Sequence, residues 1–148
     1  MNLSLWTENF DKRYLYLSEP IKNFVLENAI FYKFIYSTPI STFNCLIFTI
    51  KFNNVSISKS FNKYKMIIDK SNRDVVSFLI DIEKDIINRV SLNGTPQYDL
   101  NNHLKLGYLK LYSKSDLPDK LDSINITLKL SGIWKTNDTY GLTYKFSI

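Results

Sequence analysis

A mainly β domain carrying one amphipathic helix is the fold class the sequence predicts, on three observations. Segments rich in aromatic and β-branched residues recur along the chain, several alternating apolar and polar positions. One central segment switches to a helical period of three and four. Pro39, Asn93-Gly94, Pro96 and the polar 136–138 step punctuate these segments as turns. With 148 residues and no linker, repeat or low-complexity tract, residues 1–148 read as a single domain with a core of its own.

The elements follow in order. Residues 1–28 are mixed in character and read as an irregular arm with one short strand at 14–17. "AIFYKFIYS" (29–37) is β-rich in composition and is ended by Pro39. "FNCLIFTIKF" (43–52) alternates, with Leu46, Phe48, Ile50 and Phe52 on one face, and Asn53-Asn54 is expected to turn the chain. "FNKYKMIID" (61–69) reads as a further strand. In "DVVSFLIDIEKDIINRV", Val75, Phe78, Leu79, Ile82, Ile86 and Val90 form an apolar stripe. Asn72 or Asp74 is positioned to cap this helix, and Asp81, Glu83, Lys84 and Asp85 are expected on its wet side. Strands are then expected over 104–113, 124–135 and 139–148, the last two joined by a Thr136-Asn137-Asp138 hairpin turn.

Strands, one helix, then three strands fit a five-stranded oligonucleotide-binding (OB)-type antiparallel barrel with one helix and an irregular N-terminal arm. A β-sandwich is the second architecture, although its short, evenly spaced strands are not evident.

Composition narrows the functional classes. Net charge is +5, from sixteen Lys and three Arg against 14 acidic residues, which favours an anionic partner. Lone Cys45, in an apolar run, excludes a disulfide framework and reads as a buried thiol suited to a reducing, intracellular compartment. The start lacks the pattern of a signal peptide, and no apolar run reaches membrane-spanning length, so no membrane association is expected. His103 is the only histidine and is expected in an exposed loop; no metal site, cofactor motif, phosphate loop or nucleophile arrangement is recognisable. No catalytic residue is therefore assigned, and a non-enzyme is expected.

Alternation sorts the last hairpin. Tyr140, Leu142, Tyr144, Phe146 and Ile148 share one face, aligned with Ile126, Leu128, Leu130 and Trp134. Thr143, Lys145, Lys129, Ile133 and Lys135 fall on the other. Trp134 and Tyr140 lie at the turn end, where stacking on a ligand competes with core packing. Gly132 and Gly141 are read as points where the strands bulge and coil. The same mixing of ring and cation recurs as Lys33 among the aromatics of 31–36, Tyr64 between Lys63 and Lys65, and Lys110 between Tyr108 and Tyr112. Single-stranded nucleic acid is held by this combination, bases stacking on rings while ammonium groups follow the phosphates.

The ending "LKLSGIWKTNDTYGLTYKF" resembles the carboxy-terminal hairpin of single-stranded DNA-binding proteins of large eukaryotic DNA viruses. The pattern is Gly132-Ile133-Trp134, a polar turn, then Gly141-Leu142-Thr143-Tyr144-Lys145. Thr38-Pro39 at a strand end and Ile67-Ile68-Asp69 before the helix are further echoes, although the chain lacks the Gly-containing turn that often follows Thr-Pro in that family. Such proteins are similar in architecture to the single-stranded DNA-binding proteins of short-tailed phages. The resemblance implies coating of single-stranded DNA during replication or recombination of a virus or virus-like plasmid, in the host cytoplasm or nucleus. Replication proteins and further copies of the chain are partners it admits, and RNA remains an alternative ligand.

The expected function is thus non-sequence-specific binding of single-stranded DNA. Trp134, Tyr140, Lys135, Lys129, Lys145, Tyr108, Lys110, Tyr112, Lys33, Tyr64, Lys63 and Lys65 are the expected contacts. A non-catalytic structural or protein-interaction β domain is the competing expectation.

Overall fold

The computed structural model describes residues 4–5, 10–22 and 29–148. The rest of the expected N-terminal arm, including Trp6, lies outside the described residues. The chain is mainly β. Its strands are β1 (Ser4–Leu5), β2 (Leu15–Leu17), β3 (Ile21–Lys22), β4 (Ile30–Ser37), β5 (Thr42–Phe43), β6 (Leu46–Ser60), β7 (Lys63–Ile67), β8 (Thr95–Gln97), β9 (Tyr108–Leu111), β10 (Lys120–Lys135) and β11 (Thr139–Ser147). Among the described residues two α-helices, α1 (Arg73–Arg89) and α2 (Asp99–Lys105), and two single-turn 3-10 helices, Lys12–Tyr14 and Lys70–Asn72, interrupt them.

The sheet is open and mostly antiparallel. Its path runs β2-β4-β10-β6-β7-β9, with β11 on the other side of β10. Strand β10 organises it. Residues 120–130 pair with β6 and residues 132–135 with β4, while 127–135 also pair with β11. Strands β9 and β11 lie near each other, but among the described residues their backbones pair only beyond the end of β9, where Tyr112 bridges to Ser147 in parallel. Two hydrogen bonds make this bridge, from the Tyr112 N–H to the Phe146 carbonyl and from the Ile148 N–H to the Tyr112 carbonyl, both 3.0 Å. Elsewhere α2 packs against both strands.

The core follows the period-two pattern where the ladder is regular. Leu46, Phe48, Ile50 and Phe52 of β6 and Ile124, Ile126, Leu128 and Leu130 of β10 are buried. The expected turn at Asn53-Asn54 does not form; β6 runs straight through. Asn54 takes φ 50°, a left-handed step that asparagine tolerates. The buried positions then change parity from Phe52 to Val55 and Ile57. Asn72 pins this irregularity. Its side-chain oxygen accepts from the Asn53 N–H at 2.7 Å and its amide donates to the Asn53 carbonyl at 2.8 Å. Asn72 is the residue before α1, yet its side chain bonds β6 and not the first turn of the helix.

Helix α1 matches the apolar stripe. Leu79, Ile82, Ile86 and Ile87 are buried, and Val75, Phe78 and Val90 pack against the core. The helix lies against α2, β6 and β11. Phe78 meets Phe48 edge to face at 5.7 Å. Its last turn holds the N-terminal arm, with the Arg89 guanidinium donating to the Lys12 and Leu15 carbonyls. Glu83 departs from the expected wet side and is fully buried. Its two carboxylate oxygens accept from the Leu100 and Asn101 N–H groups at 2.9 and 2.8 Å. Burial pushes this carboxyl above its ordinary range, partly opposed by those two bonds.

The strand expected over 104–113 begins late. Residues 104 and 105 belong to α2, a second helix that the sequence reading had not separated from the strand. Gly107, at φ 83°, makes the turn between them.

Candidate nucleic-acid interface

A β-bulge decides what the last hairpin presents. Leu130 pairs with Tyr144, but Gly132 pairs with Thr143, so Ser131 is an extra residue in β10. One extra residue reverses the alternation that follows. Ile133, expected outside, is completely buried; Trp134, expected on the core face, is half-buried opposite Gly141 on the outer face. Both glycines admit close neighbours. A Cβ on Gly141 would meet the Trp134 indole at 2.8 Å, and one on Gly132 would meet the Tyr32 carbonyl oxygen at 2.0 Å. The Gly-Ile-Trp and Gly-Leu steps therefore seat β4 against β10 and let the indole lie across β11.

The outer face collects most of the expected residues. Directly paired residues point to the same side of a sheet. Lys129 pairs with Lys145, and a further row runs Thr143, Gly132, Lys33 across β11, β10 and β4. On the next strands Lys65 pairs with Lys110 and Ile67 with Tyr108, which places Lys63, Lys65, Tyr108, Lys110 and Tyr112 on one exposed surface. Cations sit over rings within it. Lys145 and Lys63 lie 4.6 and 5.2 Å from the Tyr112 ring, and Lys65 lies 4.4 Å from Tyr108. Lys129 and Lys145 are exposed like charges facing each other across the ladder, an arrangement that costs stability unless an anion lies over it.

A cleft opens where β9 and β11 part. Trp134, Tyr112, Lys110 and Lys145 line it, and its volume is about 270 Å³. Asp99, His103 and Tyr144 line it too. The Tyr144 hydroxyl lies 2.9 Å from Asp99 Oδ2 and 3.1 Å from His103 Nδ1. The Tyr144 O–H donates to the Asp99 carboxylate, which leaves the phenol oxygen to accept from His103 Nδ1–H. That tautomer is assigned from the network. Burial, then the Asp99 charge, pushes the Tyr144 hydroxyl above its ordinary range, so it stays a donor. A second recess, sharing Lys110 and lined also by Lys63, Lys65, Tyr108 and Phe61, extends the surface along β7.

Three expected contacts are placed differently. Tyr64 and Tyr140 are buried core residues. The Tyr64 hydroxyl bonds Asp116 at 3.3 Å, and alternation points its ring inward, away from Lys63 and Lys65. Tyr140 is held by the turn end of the hairpin, opposite Lys135. Lys135 is half-buried and donates to the Thr136 carbonyl at 2.9 Å, occupying its ammonium at the turn. His103, expected in an exposed loop, is on α2 with its side chain only 19% exposed, and its ring packs on Tyr108 at 5.4 Å.

Phe61 went unread. The sequence places it in a strand, since no Gly or Pro marks the β6–β7 turn. It stands at the tip of that hairpin, 95% exposed, with φ 55°. A left-handed backbone is costly for a bulky residue. The two-residue turn between Ser60 and Lys63 demands that positive φ, and it leaves the ring in solvent. Asp99 and Tyr144 were missed because their pairing spans 45 residues and carries no local signal.

Among the described residues no group of three or more His, Cys, Asp or Glu could hold a metal ion, and no helix is long and apolar enough to cross a membrane. Comparison with protein-family models, curated proteins and solved structures finds nothing that matches this chain.

Proposed function

We propose that the chain is a non-catalytic single-stranded DNA-binding protein that takes the strand across the outer face of β7, β9, β10 and β11. The observation that carries the reading is the run of Lys63, Lys65, Lys110, Lys129 and Lys145 interleaved with Tyr108, Tyr112 and Trp134 on one surface. Ammonium groups suit phosphates and open rings suit bases of any sequence.

An OB-type barrel is the architecture this reading favours. Taking β6, β7, β9, β10 and β11 as strands one to five, the pairings run 1-2-3-5-4-1, with the three–five contact reduced to the Tyr112–Ser147 bridge. Such barrels are partly open and bind oligonucleotides on the face of strands two and three and on the one–two and four–five loops. Those places correspond here to β7 and β9, to Phe61, and to the turn beside Trp134. The viral-type hairpin extends the proposal to coating of single-stranded DNA during viral or virus-like-plasmid replication and recombination.

Titration of labelled dT oligomers, matched duplex and single-stranded RNA at two salt concentrations tests it. Five phosphate contacts at a slope of about −0.7 each give about −3.5 on a log–log plot. Affinity for dT should therefore fall roughly a hundredfold between 50 and 200 mM salt, while exceeding that for duplex throughout. Equal binding to duplex, or a slope shallower than about −1, would reject the reading in favour of a protein-interaction domain.

Trp134 gives a second test. Trp134→Ala is expected to cost about 1–3 kcal/mol of binding. Its stability loss should stay below the roughly 3–5 kcal/mol typical of a core aromatic, because the ring is only half-buried. Fluorescence quenching by dT in a Trp6→Phe background reports the contact directly. An unquenched Trp134, with a badly destabilised alanine variant, would make it a packing residue.

A further inference from the structure

We infer that the cleft between β9 and β11 is a subsite for one unstacked nucleobase, and that Asp99 there reads a guanine edge. The inference rests on the single-stranded nucleic acid reading and adds a base preference at one position.

A carboxylate in the first turn of α2 suits the helix dipole, yet a surface that held only phosphates and ring faces would be weakened by one. Asp99 nevertheless lines the cleft beside Lys110 and Lys145, its side chain 59% exposed. Neither lysine pairs with it: among the described residues the only basic side-chain nitrogen within 4.0 Å is His103 Nδ1, at 3.7 Å. Tyr144 takes one of its lone pairs and fixes the side chain, leaving acceptor capacity open to the cleft. A phosphate approaching it would be repelled, so the group that settles there must donate.

Nucleobases differ in what they can give. Thymine has one ring N–H between two carbonyls, which repel a carboxylate. Adenine and cytosine each offer an exocyclic amine beside a ring acceptor. Guanine alone presents a ring N–H and an amine side by side, matching two carboxylate lone pairs at once. Trp134 and Tyr112 line the same cleft and offer ring surface on which the base can stack. The Asp99–Tyr144–His103 chain, backed by the tilted contact of the His103 ring with Tyr108, keeps the acceptor from turning away.

The test compares a dT oligomer with the same oligomer carrying one central guanine, and with one carrying inosine, which lacks the amine. A bidentate contact should favour the guanine oligomer about 5- to 150-fold, with inosine between the two. Asp99→Asn should erase the preference and tighten binding of plain dT, since it removes a negative charge. Equal affinity for the three oligomers would overturn the inference and leave the proposed function standing. A guanine preference that survives in Asp99→Asn would place the reading elsewhere and overturn it too. Binding of none of the oligomers would reject the proposed function, and the inference with it.

Discussion

Ile82→Asp is expected to leave the domain unfolded at room temperature. Ile82 is 3% exposed in the middle of the α1 stripe. Truncating such a side chain typically costs 2–5 kcal/mol, about 2–5 here as well. The carboxylate that replaces it must then be buried without a partner, which adds several kcal/mol or forces it to take up a proton. Nearby charge makes matters worse, because Asp81 and Glu83 are adjacent in sequence and Asp85 follows three residues on. The sum, roughly 5 kcal/mol or more, rivals the total stability of a domain this size. Ile82→Val, about 0.5–1.5 kcal/mol worse than the parent, controls for position. Circular dichroism and urea titration of the two variants decide the matter. A folded Ile82→Asp protein with a normal midpoint would mean that α1 is not part of the core.

How much of this was legible in the sequence depends on the range of the interaction involved. The helix was readable because its stripe is set by residues three and four apart. The strands were readable in type because aromatic and β-branched residues mark them. Their ends were not. β6 passes through an Asn-Asn step that looks like a turn, because Asn72, nineteen residues away, bonds the Asn53 backbone at that point. β10 gains the Ser131 bulge beside Gly132, where the glycine had suggested one, but simple alternation runs straight through that point, and the single extra residue exchanges the faces of Ile133 and Trp134.

The candidate site divides in the same way. Lys63, Lys65, Tyr108, Lys110, Tyr112 and Lys145 could be grouped from sequence because lysine near a strand tyrosine is a short-range feature, and Lys129 because period-two alternation sets its face; the pairing of β7 with β9 then brings two of the groups together. Tyr64 carried the same local signature but has the opposite parity on β7, so it went to the core. Trp134 reached the outer face only through the bulge. The polar floor of the cleft, Asp99, His103 and Tyr144, exists through tertiary contact alone. It also depends on one residue that the periodicity assigned to solvent.

That residue is Glu83, and Glu83→Ala is expected to destabilise the protein by about 2–4 kcal/mol. Removing the carboxylate strands the Leu100 and Asn101 N–H groups at the start of α2, both in buried residues. Each orphaned donor costs about 1–3 kcal/mol. Relief of a buried charge offsets part of that loss, which is why the expected value lies below the upper sum. Glu83→Gln retains one acceptor but turns an amide against the other N–H, so it should recover only part of the difference. The pH dependence carries a definite sign. Burial raises the Glu83 pKa above its ordinary 4.5, so the folded state holds this proton more tightly than the unfolded chain. Its contribution is most favourable below that ordinary value and is lost as pH rises through the raised one. Glu83→Gln should lack that component, and the gap between the two stability profiles should change across the window. Because α2 carries Asp99 and His103, amide exchange at Leu100 and Asn101 should accelerate in Glu83→Ala together with any loss of guanine preference. Unchanged exchange and unchanged stability would mean that Glu83 does not anchor α2. α2 would then be held by the burial of Leu100 and Leu104 and by the Tyr144–Asp99 bond.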